Sequence, residues 1–335
     1  MKKTPPVVPE DLEERIFSML PLSAHAMATQ FSPRLKKSIE EGQLFKTRAD
    51  NNIRETYVLV SVTSPPTDKA KWFAILSKSY KQEFLLRPIT SPPKHEKGEL
   101  VALRNRLFSI GSTTEVIAFN YTSKIQERSY LNAVHNKPKV AGVCNKLYIF
   151  GGVSKEDADC YVEALDLSTQ KWEKVPVPEE ERMLIPLNCD QVVLNNCVYF
   201  LHKNTCVALN PQSGKIEKEY ENFGEKKFDT SCVIGNKLFA LDWEAKITVY
   251  DSPNRLWRPL KGLENIPSFG LFTAALISFN GKLLVLQQTP QDISLTVIAI
   301  EERGQDIWGR LESSNSGLIL QEPTTRIQEI LSVEI

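Results

Sequence analysis

Near the middle of the chain the sequence reads Asn145-Lys146-Leu147-Tyr148-Ile149-Phe150-Gly151-Gly152. The polar pair favours a tight turn, and the four apolar residues after it have the composition of a buried β-strand. This pattern of a turn followed by an apolar run occurs five times. The first apolar residues of the copies are Leu107, Leu147, Val198, Leu238 and Leu283, which lie 40 to 51 residues apart. A repeat of this length predicts an array of similar structural units.

A second signal follows the turn-and-strand pattern. The residues Val162 to Asp166 form an apolar run that enters a turn and ends at Trp172, and Ile247 to Asp251 leads in the same way to Trp257. The turn residues are those that hairpins favour, and the bulky side chain that follows is suited to packing between neighbouring sheets. A preceding strand, such as Thr230 to Ile234, brings each unit to four short strands. Four strands at this period are typical of the blades of a β-propeller.

The repeats resemble kelch repeats, most clearly where Gly151-Gly152 is followed by Val162 to Asp166 and by Trp172. In the other copies different residues stand in place of the double glycine, so the resemblance lies mainly in the period and in the turns. It implies a kelch-like β-propeller over residues 46–335.

The two ends of this region are expected to build one further blade together. The stretches 57–62, 72–76 and 84–86 supply three strands, and Gln328 to Val333 supplies a fourth at the far end of the chain. Pairing the last strand with the first blade removes two open sheet edges and closes the ring. The sequence therefore predicts a mainly-β fold with six blades.

The first 45 residues have a helical pattern instead. Pro9 and the acidic residues after it favour a helix start, because proline lacks only an N–H that the first turn does not use and because acids face the positive end of the helix dipole. An apolar stripe with helical spacing follows: Leu12, Ile16, Met19 and Leu20. Pro21 ends this helix, a second helix follows, and Ser32-Pro33 opens a third, which Gly42 is expected to end. Three helices of about ten residues bury little surface alone, so this unit is expected to need a partner or the following domain.

The helical segment resembles an F-box. Residues 8–22 match its opening of a proline, an acidic turn, an apolar helix and Leu-Pro-Leu, and residues 32–39 are similar to its third helix. Val8 and Leu35 differ from the residues that are common in the family at those places. The order of the two segments resembles that of plant-type F-box/kelch proteins. The resemblance implies a three-helix F-box over residues 1–45.

The resemblance also implies a function. An F-box binds a Skp-family adaptor, and through it a cullin, so the chain would be the substrate-recognition subunit of an SCF-type ubiquitin ligase. The adaptor-contact residues that this implies, some of which belong to the core of the F-box, are Val8, Pro9, Leu12, Ile16, Leu20, Pro21, Leu22 and Leu35. The alternative is a propeller that acts as an interaction scaffold, with the helices only as a cap and without a role in ubiquitin ligation.

The sequence does not identify residues that bind the protein substrate. Loops on a rigid scaffold are where binding residues concentrate, so the substrate is expected on one loop-bearing face of the propeller. The segments expected on that face are the interblade connections 88–98, 176–188 and 259–271 and the facing loops near 152–160, 202–205, 242–246 and 287–293.

Composition argues against several functional classes. The 41 lysines and arginines balance the 41 acidic residues, so there is no basic excess for nucleic acid or an anionic membrane. No apolar run has the length of a membrane span, and none of secretory type follows the start of the sequence. We therefore expect an intracellular protein, cytoplasmic and/or nuclear, in which the six cysteines are reduced.

The sequence predicts no catalytic residues, no metal and no cofactor. The four histidines, at positions 25, 95, 135 and 202, are scattered and have no metal-ligand spacing to cysteines or carboxylates. No nucleophile motif or phosphate-binding loop is found. We therefore expect a non-enzymatic protein. A kelch-type enzyme is the less favoured alternative, and it would require a cluster of acids or metal ligands at the mouth of the propeller.

Overall fold

The computed structural model describes most of the chain. The described residues are 9–41, 43–51, 53, 55–63, 70–78, 83–94, 98–120, 125–187, 189–202, 205–220, 230–242, 244, 246–251, 254, 256–264, 274–288, 292–319 and 326–334.

Residues 9–51, hereafter the helical module, contain four helices. They are α1 (Glu10–Met19), α2 (Leu22–Phe31), α3 (Pro33–Glu40) and α4 (Gln43–Asp50). Ser32 caps α3, where its hydroxyl accepts a hydrogen bond of 3.1 Å from the backbone N–H of Leu35. The sequence analysis expected three helices, with an end at Gly42, and missed α4. The predicted boundary between residues 45 and 46 lies within this fourth helix.

The rest of the described chain forms six four-stranded antiparallel sheets, which confirms the predicted six-bladed propeller. Blade 1 contains β24 (Arg326–Glu334), β1 (Thr56–Thr63), β2 (Lys71–Lys78) and β3 (Glu83–Ile89). Blade 2 contains β4 (Glu99–Leu103), β5 (Arg106–Ile110), β6 (Glu115–Asn120) and β7 (Gln126–Tyr130). Blade 3 contains β8 (Lys139–Val143), β9 (Lys146–Phe150), β10 (Val162–Asp166) and β11 (Lys171–Lys174).

The remaining blades follow in chain order. Blade 4 contains β12 (Asp190–Leu194), β13 (Cys197–His202), β14 (Thr205–Asn210) and β15 (Lys215–Tyr220). Blade 5 contains β16 (Thr230–Ile234), β17 (Lys237–Leu241), β18 (Ile247–Asp251) and β19 (Leu256–Pro259). Blade 6 contains β20 (Ala274–Phe279), β21 (Lys282–Gln288), β22 (Asp292–Arg303) and β23 (Asp306–Ile319). A short helix, α5 (Glu179–Leu184), interrupts the connection from blade 3 to blade 4.

The last strand closes the ring, as the sequence predicted. Strand β24 pairs antiparallel with β1 from Thr56 opposite Glu334 to Thr63 opposite Arg326. It occupies the innermost place of blade 1, because it contacts β4 and β20, the innermost strands of the two neighbouring blades. Its Val333 side chain is fully buried. Blade 1 is therefore built from both ends of the propeller region.

Strand alternation gives the propeller two different faces. The turn between the first and second strands of a blade and the turn between its third and fourth strands lie on one face, here called the turn face. The loop between the second and third strands and the connector to the next blade lie on the other face, here called the loop face. The turns between the first and second strands of the blades are tight. In blades 4 and 6 these turns place Asn195-Asn196 and Asn280-Gly281 at positive φ, as two-residue hairpins require.

Large side chains fill the space between blades. Phe150 of blade 3 packs edge to face against Phe200 of blade 4, with ring centroids 5.4 Å apart. Trp172 packs against the cluster shared by blades 2 and 3, and Trp257 packs against the cluster shared by blades 4 and 5. The predicted role of these tryptophans between neighbouring sheets is confirmed.

Ring closure can be tested by placing a charge in the closing strand. Val333→Asp puts a carboxylate where the side chain is fully buried, and we expect it to cost about 3 kcal/mol or more, which lowers Tm by roughly 5 °C. Differential scanning calorimetry measures the shift. Gln328→Asp, at an exposed position of the same strand, is the matched control. Equal Tm values for the two variants would contradict the role of β24.

Candidate functional site

Helix α1 presents an apolar stripe to solvent. Leu12, Ile16 and Met19 lie at positions i, i+4 and i+7, and their exposed fractions are 47%, 48% and 61%. At the end of α2, Phe31 is 82% exposed. Other residues of α1 contact α4 within the module. The stripe is therefore an unburied apolar surface of the kind that marks an interaction site.

The structure places most of the predicted adaptor-contact residues on or beside this surface. Pro9 and Pro21, which precede α1 and α2, are exposed, as are Leu12 and Ile16. Leu20, at the end of α1, is half-buried. Val8 lies outside the described residues, and the backbone of Leu22 begins α2.

Leu35 is not on the surface and is thus one of the residues of this set that lie in the core of the module. Its side chain is 1% exposed and lies in the core of the helical module, where it lines a small cleft together with Phe17 and Leu44. Leu44 belongs to α4, the helix that the sequence analysis missed. That helix covers Leu35 and removes it from the set that a partner could contact.

A buried arginine joins the helical module to the propeller. The Nη1 atom of Arg48 donates hydrogen bonds of 2.8 Å to the carbonyl oxygens of Ser18, in the last turn of α1, and of Leu20, just after the helix. Its Nη2 atom lies 3.2 Å from Oε1 of Glu55, just before β1. One guanidinium thus holds the end of α1 and the entry to the first propeller strand. The sequence analysis missed Arg48 because an arginine in a short polar helix is usually exposed.

Two more titratable groups lie beside this ion pair. His25 is buried, with Nε2 3.0 Å from the carbonyl oxygen of Phe17, and burial lowers its pKa. Burial together with the neighbouring Glu55 carboxylate raises the pKa of Tyr57 in β1. Both groups are therefore held neutral beside the Arg48–Glu55 pair.

The module lies at the turn face of the propeller. The chain enters β1 there, and the backbone N–H of Thr56 donates a 2.9 Å hydrogen bond to Oδ1 of Asn280, in the first turn of blade 6. The loops expected to contact a substrate all connect second to third strands or one blade to the next, so they lie on the opposite, loop face. Parts of six of these segments, at residues 95–97, 188, 203–204, 243 and 245, 265–271 and 289–291, are outside the described residues.

Blade 3 holds a buried carboxylate at its loop-face end. Glu163 is fully buried, and its two oxygens accept hydrogen bonds from the backbone and side chain of Asn132, from the backbone N–H of Ala133 at 3.1 Å and from Nε2 of His135 at 3.1 Å. Burial alone would raise the pKa of Glu163, but these donors outweigh it and hold the pKa below its ordinary value. The carboxylate therefore anchors residues 131–138, which connect blade 2 to blade 3.

His135 is part of this anchor. Its Nδ1 atom lies 2.6 Å from the carbonyl oxygen of Gly151, and its Nε2 atom faces Glu163. Within the described ranges, no three His, Cys, Asp or Glu side chains are grouped so that they could hold a metal ion. None of the helices in those ranges has the length and apolar content needed to cross a membrane. The six cysteines form no disulfide.

The fold and its surfaces define a class of protein: a closed six-bladed propeller with a small helical module fixed to one face. A family comparison agrees with this description, since the FKB95 Kelch-repeats domain matches residues 46–318. The match covers most of the chain, and the protein belongs to this kelch-repeat family.

Several plant proteins are similar to this chain over more than the propeller. A kelch repeat-containing protein of Arabidopsis thaliana is 24% identical over 336 residues, covering 91% of this chain and 81% of the relative. An F-box/kelch-repeat protein of the same plant is also 24% identical, covering 91% of this chain and 86% of its own length. A third, named a putative F-box/kelch-repeat protein, is 25% identical and covers 93% of this chain and 82% of its own length.

The joint can be tested with Arg48→Met, which removes the charge and keeps much of the side-chain volume. Two backbone carbonyl groups then lose their donor and Glu55 loses its ion-pair partner, so we expect the helical module to open more often. Amide hydrogen exchange in α1 and α4 should become at least about tenfold faster, while blades 2 to 5 keep their protection. Lys46→Met, at an exposed position of α4, is the control. Unchanged exchange in α1 would contradict the role of Arg48.

The Glu163 anchor gives a pH-dependent prediction. Because the folded-state pKa of Glu163 is depressed, its contribution is complete above the unfolded pKa, near 4.3, and is lost as the pH falls through the folded value. Glu163→Gln should therefore cost about 3 kcal/mol at pH 7, and the difference from wild type should shrink below about pH 4. Urea unfolding between pH 3 and 7 measures it, with exposed Glu156→Gln as the control. A difference that grows on acidification would contradict this assignment.

Proposed function

We propose that this protein is the substrate-recognition subunit of an SCF-type ubiquitin ligase. In this proposal the helical module binds a Skp-family adaptor, and through it a cullin, while the propeller binds the protein that is ubiquitylated. The observation that carries the proposal is the exposed stripe of Leu12, Ile16 and Met19 on α1. The names of the F-box/kelch-repeat relatives support it.

The stripe favours a partner over a helical cap. A cap would turn its apolar residues onto the propeller, whereas these three side chains lie near half exposure or above it while the module is already fixed to the propeller through Arg48 and Glu55. Three solvated apolar side chains in one row do not stabilise a monomeric protein. A helix that docks into a partner uses such a row as its buried anchors.

The two faces suit the two binding functions. The module lies at the turn face, and the long connectors lie at the loop face, so an adaptor and a substrate can bind at the same time without overlap. The buried joint holds the two partners in a defined relative position. Such a protein needs no catalytic activity of its own, because it raises the local concentration of substrate lysines near the conjugating enzyme.

The same proposal places the protein inside the cell, in the cytoplasm, the nucleus or both.

The adaptor interface can be tested with Ile16→Asp, which puts a charge in the centre of the stripe. We expect it to weaken binding to a purified Skp-family adaptor by at least about thirtyfold, because a desolvated anchor is lost and a charge is buried. Isothermal titration calorimetry measures the affinity. Circular dichroism should show an intact fold, since Ile16 is half exposed in the free protein.

The matched control is Leu311→Asp, since Leu311 is exposed to a similar extent but lies on the outer strand of blade 6. It should bind the adaptor as the wild type does. If the intact protein binds no Skp-family adaptor at tens of micromolar, the ubiquitin-ligase function is wrong and the propeller scaffold takes its place.

A further inference from the structure

The loop face carries a second set of exposed apolar side chains, all near blade 3. They belong to two segments: residues 130–138, which lead from blade 2 into blade 3, and residues 175–187, which leave blade 3 for blade 4. The exposed members are Tyr130, Val134, Met183 and Leu184, of which Met183 is the most exposed at 81%. The other exposed large apolar residues of the described propeller, Ile125, Leu256 and Leu311, lie at strand starts on the turn face or along an outer strand.

Val134 is exposed because its neighbours are fixed. Along residues 131–135 burial alternates: Leu131, Ala133 and His135 are buried, whereas Val134 points away from the core. The alternation is imposed by Glu163, which accepts hydrogen bonds from the backbone of Ala133 and from the ring of His135. The propeller therefore presents Val134 to solvent on an anchored backbone.

Helix α5 is fixed in a comparable way. Oε2 of Glu181 accepts a 3.1 Å hydrogen bond from the backbone of Ile216 in blade 4, and Nε of Arg182 donates a 2.7 Å hydrogen bond to the carbonyl oxygen of Val177. The Arg182 guanidinium also lies 5.7 Å from the ring centroid of Tyr161. With these two side chains engaged by the propeller, Met183 and Leu184 are left in solvent.

Both segments contact Gly151 of blade 3. The carbonyl oxygen of Gly151 lies 2.6 Å from Nδ1 of His135, the residue next to Val134. On the other side, a methyl group built on Gly151 would lie 2.6 Å from Cδ2 of Leu187, so Leu187 packs directly on this glycine. The apolar groups of both segments therefore border the same part of blade 3, hereafter the blade 3 patch.

The blade 3 patch carries carboxylates beside its apolar groups. Residues 130–138 and 175–187 contain three glutamates, Glu179, Glu180 and Glu181, against Lys137 and Arg182, in a chain whose overall charges balance. Glu179 and Glu180 are exposed and lie four and three residues before Met183, which places them beside it on the same helix face. An apolar contact point is thus bordered by two carboxylates.

We infer that the blade 3 patch is the surface that binds the substrate protein, and that it binds an extended segment in which a lysine or arginine lies next to a large apolar side chain. This inference rests on the proposed function, in which the propeller selects a protein. The apolar side chain contacts Met183, Leu184 and Val134, and the basic side chain pairs with Glu179 or Glu180. Charge complementarity and the adjacent apolar groups select this class of segment over an acidic one.

The test uses fluorescein-labelled peptides from a library in which apolar and basic positions are varied, with the full chain as receptor. Fluorescence anisotropy should select peptides that carry an arginine or lysine beside a leucine or phenylalanine. Their affinity should fall with added salt. Met183→Glu should weaken the selected peptides about tenfold or more, and Glu179→Lys with Glu180→Lys should shift the selection towards acidic peptides. Ile125→Glu, at an exposed site of the turn face, should change neither.

Three outcomes would overturn the inference: no peptide binds, the selected peptides have no basic residue, or Met183→Glu binds them as the wild type does. Self-association through the patch, seen by sedimentation and abolished by Met183→Glu, would also overturn it. Adaptor binding is measured on the same variants and should be unchanged. A failure of adaptor binding in the wild type therefore counts against the ubiquitin-ligase function, and a failure in the peptide experiment counts against the blade 3 patch.

Discussion

The pairing of β24 with β1 is the interaction on which the rest of the molecule depends. Six twisted sheets arranged in a circle bury their faces only if the circle is complete, because each sheet packs against the next. Here one blade is shared by the two ends of the propeller region, with Val333 buried at the centre. The closing strand takes the innermost place, where it contacts both β4 and β20. Closure therefore stabilises the circle of innermost strands, the inner wall of the ring, as well as the sheet of blade 1.

The same blade carries the helical module. Strand β1 pairs with β24 on one edge, and the residue just before it, Glu55, receives Arg48 from α4. The orientation of the module is thus fixed by a half-buried ion pair next to the strand that also closes the ring. A rigid joint at this place defines the distance between anything bound to α1 and anything bound at the loop face. For a protein whose proposed function is to hold two partners together, that distance is the property that matters most.

Local patterns in the sequence were enough to predict the blades, their number and the closing strand, because turn residues and apolar runs repeat at a regular interval. They were not enough for contacts between distant segments. Helix α4 has a weakly apolar sequence and was missed, and with it the burial of Leu35 and the role of Arg48. His135 was considered only as a possible metal ligand and was rejected. Its actual partner, Glu163, lies 28 residues further along the chain, and no local pattern predicts that contact. The exposed stripe on α1 was predicted as an apolar row, but its exposure depends on how the module packs.

The position of β24 also has a consequence for the time that folding takes during synthesis. Strand β1 begins at Thr56 and its partner begins at Arg326, so a ribosome adds 270 residues between them. At about 5–20 residues per second this takes on the order of tens of seconds. Throughout that interval β1 has an open edge and the inner wall lacks one strand. Blades 2 to 6 are continuous in the chain and can form as they emerge, whereas blade 1 must wait for the last residues. The nascent protein is therefore exposed to wrong pairing for a time set by translation and not by the speed of strand pairing.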